Sequence, residues 1–163
     1  MDFREVLLVL HILLAIIWAG GVLFIGWGVF PAFRKMAFVQ QRTFLQALMQ
    51  WSHKFLTAAG GGVVITGVLL GTVFGPISQW QDMITTRYGL IWITALVIGI
   101  VTLLWGTVVG FRQSARLFSK VTLWKQADAG NTKPLTKALA AVVLLESAEG
   151  VGFAALVVLM VLF

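Results

Sequence analysis

The chain contains no cysteine among its 163 residues, and it has only three prolines and one tyrosine. Without cysteine it can form no disulfide, no thiolate metal site and no redox thiol. Charged residues are also scarce at 11% of the chain, whereas soluble domains carry about 25%. Hydrophobic residues make up 60%. This composition predicts an integral membrane protein with the lipid bilayer as its main partner.

Several sequence motifs of enzymes and transporters are missing as well. The chain has no phosphate-binding loop, no nucleophile elbow and no zinc-peptidase helix. It also lacks the inverted repeat and the matched broken helices that are typical of secondary transporters. The sequence does not decide whether the protein is an enzyme, and it favours a protein that is not one.

Four apolar runs are long enough to cross a hydrocarbon core, which needs about 20 helical residues. They cover residues 6–30, 55–75, 88–111 and 138–163. The runs are continuously apolar rather than alternating, which favours helices over strands. Pro31 and Pro76 are expected to close the first and second helices. We therefore expect an all-α protein, a four-helix antiparallel bundle that forms a single transmembrane domain over residues 1–163.

Most lysines and arginines fall in two of the predicted loops, residues 31–54 and 112–137. By the positive-inside rule these loops are cytoplasmic, so both termini lie on the non-cytoplasmic side. The expected location is a cytoplasmic membrane of the bacterial type. The net charge of +6 is interpreted as a topology signal, and no nucleic-acid partner is expected.

Three ionisable residues, His11, Glu146 and Glu149, lie inside apolar runs. Such a residue costs about 2.5–3.5 kcal/mol on insertion scales and is by default a functional-site hypothesis. The two glutamates are three residues apart and share one side of the fourth helix. At least one should be protonated unless a cation is close. A pair of hydrogen-bonded acids is the purely structural alternative.

If the hydrocarbon core is about 30 Å thick, His11 is expected within roughly 6 Å of the depth of Glu149, and the two could meet if the first and fourth helices are neighbours. A thioether beside a histidine suits copper, and Met160 lies on the Glu149 face of its helix. His11, Glu146, Glu149 and Met160 are therefore the candidate metal ligands. For His11, a hydrogen bond to a neighbouring helix is the structural alternative.

Haem b is the other cofactor that the sequence leaves open beside copper. His11, Trp18 and His53 are the candidate cofactor-binding residues, and Trp18 lies two helical turns from His11. His53 is predicted at the cytoplasmic mouth of the second helix, on the opposite side of the membrane from His11. The two histidines should therefore not clamp a single haem.

The first helix resembles the opening of the copper-resistance D (CopD) family, in which a histidine, six residues and a tryptophan precede a small residue and two glycines. The matching segments are residues 10–21, 30–33, 42–55, 65–67 and 87–89. The resemblance implies a multi-helix inner-membrane protein associated with copper handling, with His11 as the family histidine. The related HemJ-type haem-binding proteins share the four-helix size and the same opening, although their Tyr-Leu-Pro-Arg and Asn-Glu-Val-Pro motifs are absent here.

Three functions follow from these patterns. The first is a copper-handling or metal-binding membrane protein with an intramembrane His/Glu site. The second is a b-haem redox protein, which if enzymatic would be a haem-dependent oxidoreductase. The third is a structural subunit of a larger membrane complex, with partner membrane subunits or a second copy of the chain against its helices.

Overall fold

Four long helices make up most of the protein in a computed structural model that describes residues 2–162, and this range contains no strand. Each is long and apolar enough to cross a membrane. We call them the first, second, third and fourth spans: Phe3–Phe33, Phe38–Gly71, Arg87–Ser119 and Lys133–Leu162. The predicted all-α, four-helix membrane fold is confirmed.

The first and third spans each contain one turn of π-helix. In the first span, the α-helix Phe3–Phe24 is followed by the π turn Ile25–Val29 and by one more α-helical turn, Phe30–Phe33. Pro31 therefore lies inside this span, and the prediction that it closes the first helix is wrong. Proline removes a backbone hydrogen bond and crowds the preceding turn, and the wider π turn directly before Pro31 accommodates this distortion.

The third span has the same construction, with the α-helix Arg87–Leu104, the π turn Trp105–Gly110 and the α-helix Phe111–Ser119. The second span has no such interruption and begins at Phe38, because the amphipathic residues before position 55 continue the helix. Two short helices, Asp82–Thr85 and Val121–Asp128, lie in the loops.

Spans that follow one another in the chain pack side by side, whereas the first and fourth spans touch only over a short stretch. There Trp18 meets Phe153 edge to face, with ring centroids 5.0 Å apart and an interplanar angle of 86°. The Trp18 ring covers the bare backbone of Gly60, where an added Cβ would lie 2.9 Å from ring atom Cε2. These contacts join the first, second and fourth spans at the depth of Trp18. Away from this depth the first and fourth spans are separated.

The end of the bundle that carries the basic loops is closed by a packed apolar core. Its buried members are Phe33, Leu45, Leu117, Phe118, Trp124, Ala127 and Leu135. The indole Nε1 of Trp124 donates to the carbonyl of Leu117 at 3.3 Å, and Arg42 Nε donates to the carbonyl of Phe118 at 2.8 Å. The short helix Val121–Asp128 also packs against the second and fourth spans at this end.

The opposite end is organised by Asp82, which lies outside the spans. Its carboxyl accepts hydrogen bonds from the backbone N–H groups of Gln79, at 2.8 Å, and Ser78, at 2.9 Å, and from the Ser78 hydroxyl at 3.1 Å. These three donors, the Gln79 N–H first, hold the pKa of Asp82 below its usual value because they stabilise the ionised form.

Candidate functional site

A cavity of about 830 Å³ lies among all four spans, on the side of the Trp18–Phe153 contact that faces the basic loops. It reaches the lipid-facing surface between the first and fourth spans. Its wall there includes Trp27 and Val151, which are 80% and 72% exposed. We call this cavity the acidic cleft, because Glu146 and Glu149 line it.

Glu149 is a buried acid, only 8% exposed, in the wall of the acidic cleft. Its carboxyl makes no hydrogen bond to any residue between positions 2 and 162. In this range, every side-chain oxygen or nitrogen without a hydrogen bond is at least partly accessible. The unpaired Glu149 oxygens are therefore accessible from the open space of the cleft. Buried polar groups in proteins are nearly always hydrogen-bonded, and Glu149 is therefore unusual.

Glu146 lines the same cleft but has a partner. Its Oε1 accepts a hydrogen bond from the hydroxyl of Ser114 at 2.7 Å, and Ser114 is only 1% exposed. This bond crosses from the third span to the fourth and holds the Glu146 carboxyl in place. Of the two acids, Glu149 is thus the one that is free to contact a ligand.

The π turn of the third span brings bare backbone to both acids. A Cβ added at Gly106 would collide with Glu149 Oε1, and one at Gly110 would lie 3.6 Å from Glu146 Cγ. Next to them, Trp105 Nε1 donates to the carbonyl of Leu145 at 2.9 Å. The two glycines therefore set the register in which the third span meets the fourth, and π turns are frequent at functional sites.

Aromatic rings make up much of the remaining wall. They belong to Trp18, Trp27, Phe30, Phe111 and Phe153. The His53 ring also lines the cleft and stacks on Phe111, with centroids 3.8 Å apart and an interplanar angle of 14°. No lysine or arginine of the described chain lines the cleft, so its formally charged side chains are the two glutamates.

His11 lies outside the acidic cleft and is held by the second span. Its Nδ1 is 2.8 Å from Thr66 Oγ1, and the Thr66 hydroxyl donates its proton to the carbonyl of Gly62 at 2.7 Å. The tautomer of His11 decides whether Nδ1 donates to the Thr66 hydroxyl or accepts from it. The ring edge lies over Gly67, where a Cβ would be 3.2 Å from Cε1. This is the interhelical role that was the structural alternative for His11.

The structure does not bring His11 and Glu149 together. His11 precedes Trp18 by seven residues and Glu149 precedes Phe153 by four, in spans that run in opposite directions. At 1.5 Å per residue the two are about 16 Å apart along the bundle. The predicted depth difference of roughly 6 Å is wrong. That prediction measured depth from the ends of the apolar runs, and the helices extend beyond those ends.

The remaining candidate ligands are divided in the same way. Met160 is 48% exposed and does not line the acidic cleft, whereas Trp18, His53 and both glutamates do. Over residues 2–162, no three His, Asp or Glu side chains are grouped so that they could hold a metal ion. The residues proposed from the sequence thus fall into two separate regions. One is the His11 region, towards the end of the bundle away from the basic loops, and the other is the acidic cleft.

Two contributors to the site were not singled out from the sequence. Ser114 lies beyond residue 111, where the third helix was expected to end, so its bond to Glu146 could not be anticipated. Gly106 and Gly110 form a Gly-x-x-x-Gly pattern in an apolar helix, which is a known signal for close helix contact. That pattern could have indicated where the fourth span packs.

Comparison of the chain with protein-family models, with curated proteins and with solved structures finds no match. The resemblance to the copper-resistance D family stays a prediction.

Proposed function

We propose that this protein binds a cation inside the membrane, in the acidic cleft. The observation that supports the proposal is Glu149, a buried carboxyl that has no hydrogen-bond partner among the described residues and faces an open cavity. A carboxylate in a low-dielectric site needs a compensating partner. A cation in the cleft would supply that partner.

Copper handling, which the family resemblance implies, is one form of this function. Imidazole is a suitable copper ligand, and His53 lines the cleft with the two glutamates, although these three side chains do not form a preassembled metal site in the structure. In this proposal His53 takes the place that the sequence gave to His11. His11 instead has a structural role, because its hydrogen bond with Thr66 joins the first and second spans.

Copper binding to the purified protein in nanodiscs tests the proposal. Metal retained after equilibrium dialysis would be quantified for the wild type, Glu149→Gln, His53→Ala and His11→Ala. We expect Glu149→Gln and His53→Ala to lose bound copper and His11→Ala to retain it. Asp128→Asn removes an exposed acid outside the cleft and is the matched control. If His11→Ala lost copper while Glu149→Gln and His53→Ala retained it, the assignment of the copper site to the cleft would be contradicted.

Haem b binding is the second candidate, and the size of the acidic cleft favours it. A cavity of about 830 Å³ is within the range of sites for large organic ligands, about 300–1,000 Å³, and His53 in its wall is a residue that can ligate iron. A bound haem would supply one-electron redox chemistry. The two glutamates do not complement the anionic edge of a haem, so we place this function second.

An absorption spectrum of the purified protein, oxidised and reduced, separates the two functions. A Soret band that shifts on reduction and is lost in His53→Ala would favour haem. A colourless protein that retains a cation through Glu149 would favour the first proposal.

A further inference from the structure

We infer that the acidic cleft takes an organic cation, one positive charge on an aromatic or otherwise apolar body, which enters from the bilayer. This inference rests on the proposed cation-binding function and names the class of ligand. It depends on the charge, the wall, the size and the opening of the cleft.

The charge of the cleft selects the sign of the ligand. Glu149 is unpartnered and faces the cavity, Glu146 stands three residues away on the same helix face, and no lysine or arginine of the described range lines the wall. His53 is the other titratable side chain in the lining. An anion in the cleft would lie beside one or two carboxyls with no compensating cation, so the site disfavours anion binding.

The wall selects the body of the ligand. Trp18, Trp27, Phe111 and Phe153 present indole and phenyl rings to the cavity. Aromatic faces attract cations, by about 2 kcal/mol or more when the pair is desolvated. A strongly hydrated metal ion would gain little from such walls, whereas an organic cation is weakly hydrated and buries its apolar surface against them.

The size and the opening point to the same class. A volume of about 830 Å³ corresponds to a drug-sized molecule, and a single metal ion would leave most of it unfilled. The opening between the first and fourth spans is edged by Trp27 and Val151, which are 80% and 72% exposed on the lipid-facing surface. A lipophilic cation is already dissolved at that surface, so it can enter sideways without crossing the packed core around Phe33 and Trp124.

Two ions of the same shape and opposite charge provide the test. Tetraphenylphosphonium and tetraphenylborate would be titrated into wild-type protein in nanodiscs, with empty nanodiscs subtracted and tryptophan fluorescence or retained ligand as the readout. We expect saturable binding of the phosphonium and none of the borate. Equal binding of the two ions, or no binding of the phosphonium, would overturn the inference. This comparison uses the wild type alone and needs no variant to fold.

Variants then locate the site. Glu149→Gln should weaken phosphonium binding about tenfold or more, since truncating one side of a buried charge pair is costly, and Asp128→Asn should bind as the wild type does. Unchanged binding in Glu149→Gln would also overturn the inference. If the protein retained copper through Glu149 but did not bind the phosphonium, the inference would be contradicted and the proposed cation-binding function would not. A folded wild-type protein that binds neither would contradict the proposed function as well.

Discussion

His11 and Glu149 are both ionisable residues inside the membrane-spanning part of the protein, and the structure treats them in opposite ways. His11 is paired with Thr66 across a tight contact between the first and second spans. Glu149 lies where the first and fourth spans separate, and its carboxyl reaches an open cavity without a hydrogen-bond partner in the described chain. A polar residue in a membrane helix is thus a stronger functional candidate when its own protein leaves it unpaired.

The glycines beside the two residues repeat this difference. Gly67 gives the His11 ring a flat surface to rest on, and an added Cβ there would be 3.2 Å from the ring. Gly106 makes room for the carboxyl of Glu149, and an added Cβ would collide with it. Gly67 thus helps to fix the His11 side chain, whereas Gly106 leaves the Glu149 carboxyl accessible from the cleft.

The largest expected effect comes from comparing the two acids. Glu149→Gln should weaken cation binding about tenfold or more. Glu146→Gln should weaken it less, because its amide oxygen can still accept the Ser114 hydrogen bond that holds the side chain. Both variants should fold, which circular dichroism in detergent would check. Equal losses in the two variants would break the distinction between a paired and an unpaired acid.

The next effect tests the bare backbone of the third span. Gly106→Ala should displace the Glu149 carboxyl, reduce cation binding and cost about 1–3 kcal/mol of stability. Gly99→Ala is the matched control in the same span, because an added Cβ there has no atom within 4 Å. Thermal unfolding and ligand titration of the two variants would be compared. A Gly106→Ala protein that binds normally would show that the contact does not position Glu149.

A smaller effect is expected in the His11 region. His11→Ala and Thr66→Val each remove the same interhelical hydrogen bond, and such bonds contribute about 0.6–2 kcal/mol in membrane proteins. Both should lower the unfolding temperature, and the double variant should be hardly less stable than either single one. Cation binding in the cleft should be unchanged. Loss of cation binding in His11→Ala would instead show that the His11 region is part of the binding site.

The smallest effect concerns pH and Asp82, at the end of the bundle opposite the basic loops. Because its folded-state pKa is below the usual value, ionised Asp82 stabilises the fold above its ordinary pKa, and this contribution is lost as pH falls through the folded-state pKa. Asp82→Asn should lower the unfolding temperature at neutral pH and change it little in acid. A difference that does not depend on pH would contradict the role of the ionised carboxyl.

The sequence was a good guide wherever a long apolar run decided the outcome. All four helices and the inclusion of Glu146 and Glu149 in the last one follow from composition and spacing. The ends of the first and third helices did not follow, because Pro31 is tolerated behind a π turn and the third span continues past residue 111 to Ser119. Hydropathy records what contacts lipid, and it carries little information on where a helix stops in polar surroundings.

The site was less predictable, since it depends on which spans touch. The grouping of His11 with Glu149 needed the first and fourth helices to pack along their length, and they meet only near Trp18. Likewise, the position of His53 in the same cavity as the glutamates depends on contacts between helices far apart in the chain. A single sequence gives the faces of each helix but not the order or depth at which they meet.

Infrared difference spectroscopy of the wild type with and without tetraphenylphosphonium tests the role of Glu149 most directly. The account predicts that binding changes a carboxyl band and that this change disappears in Glu149→Gln but persists in Asp128→Asn. A wild-type spectrum with no carboxyl change on binding, or the same change in Glu149→Gln, would contradict it.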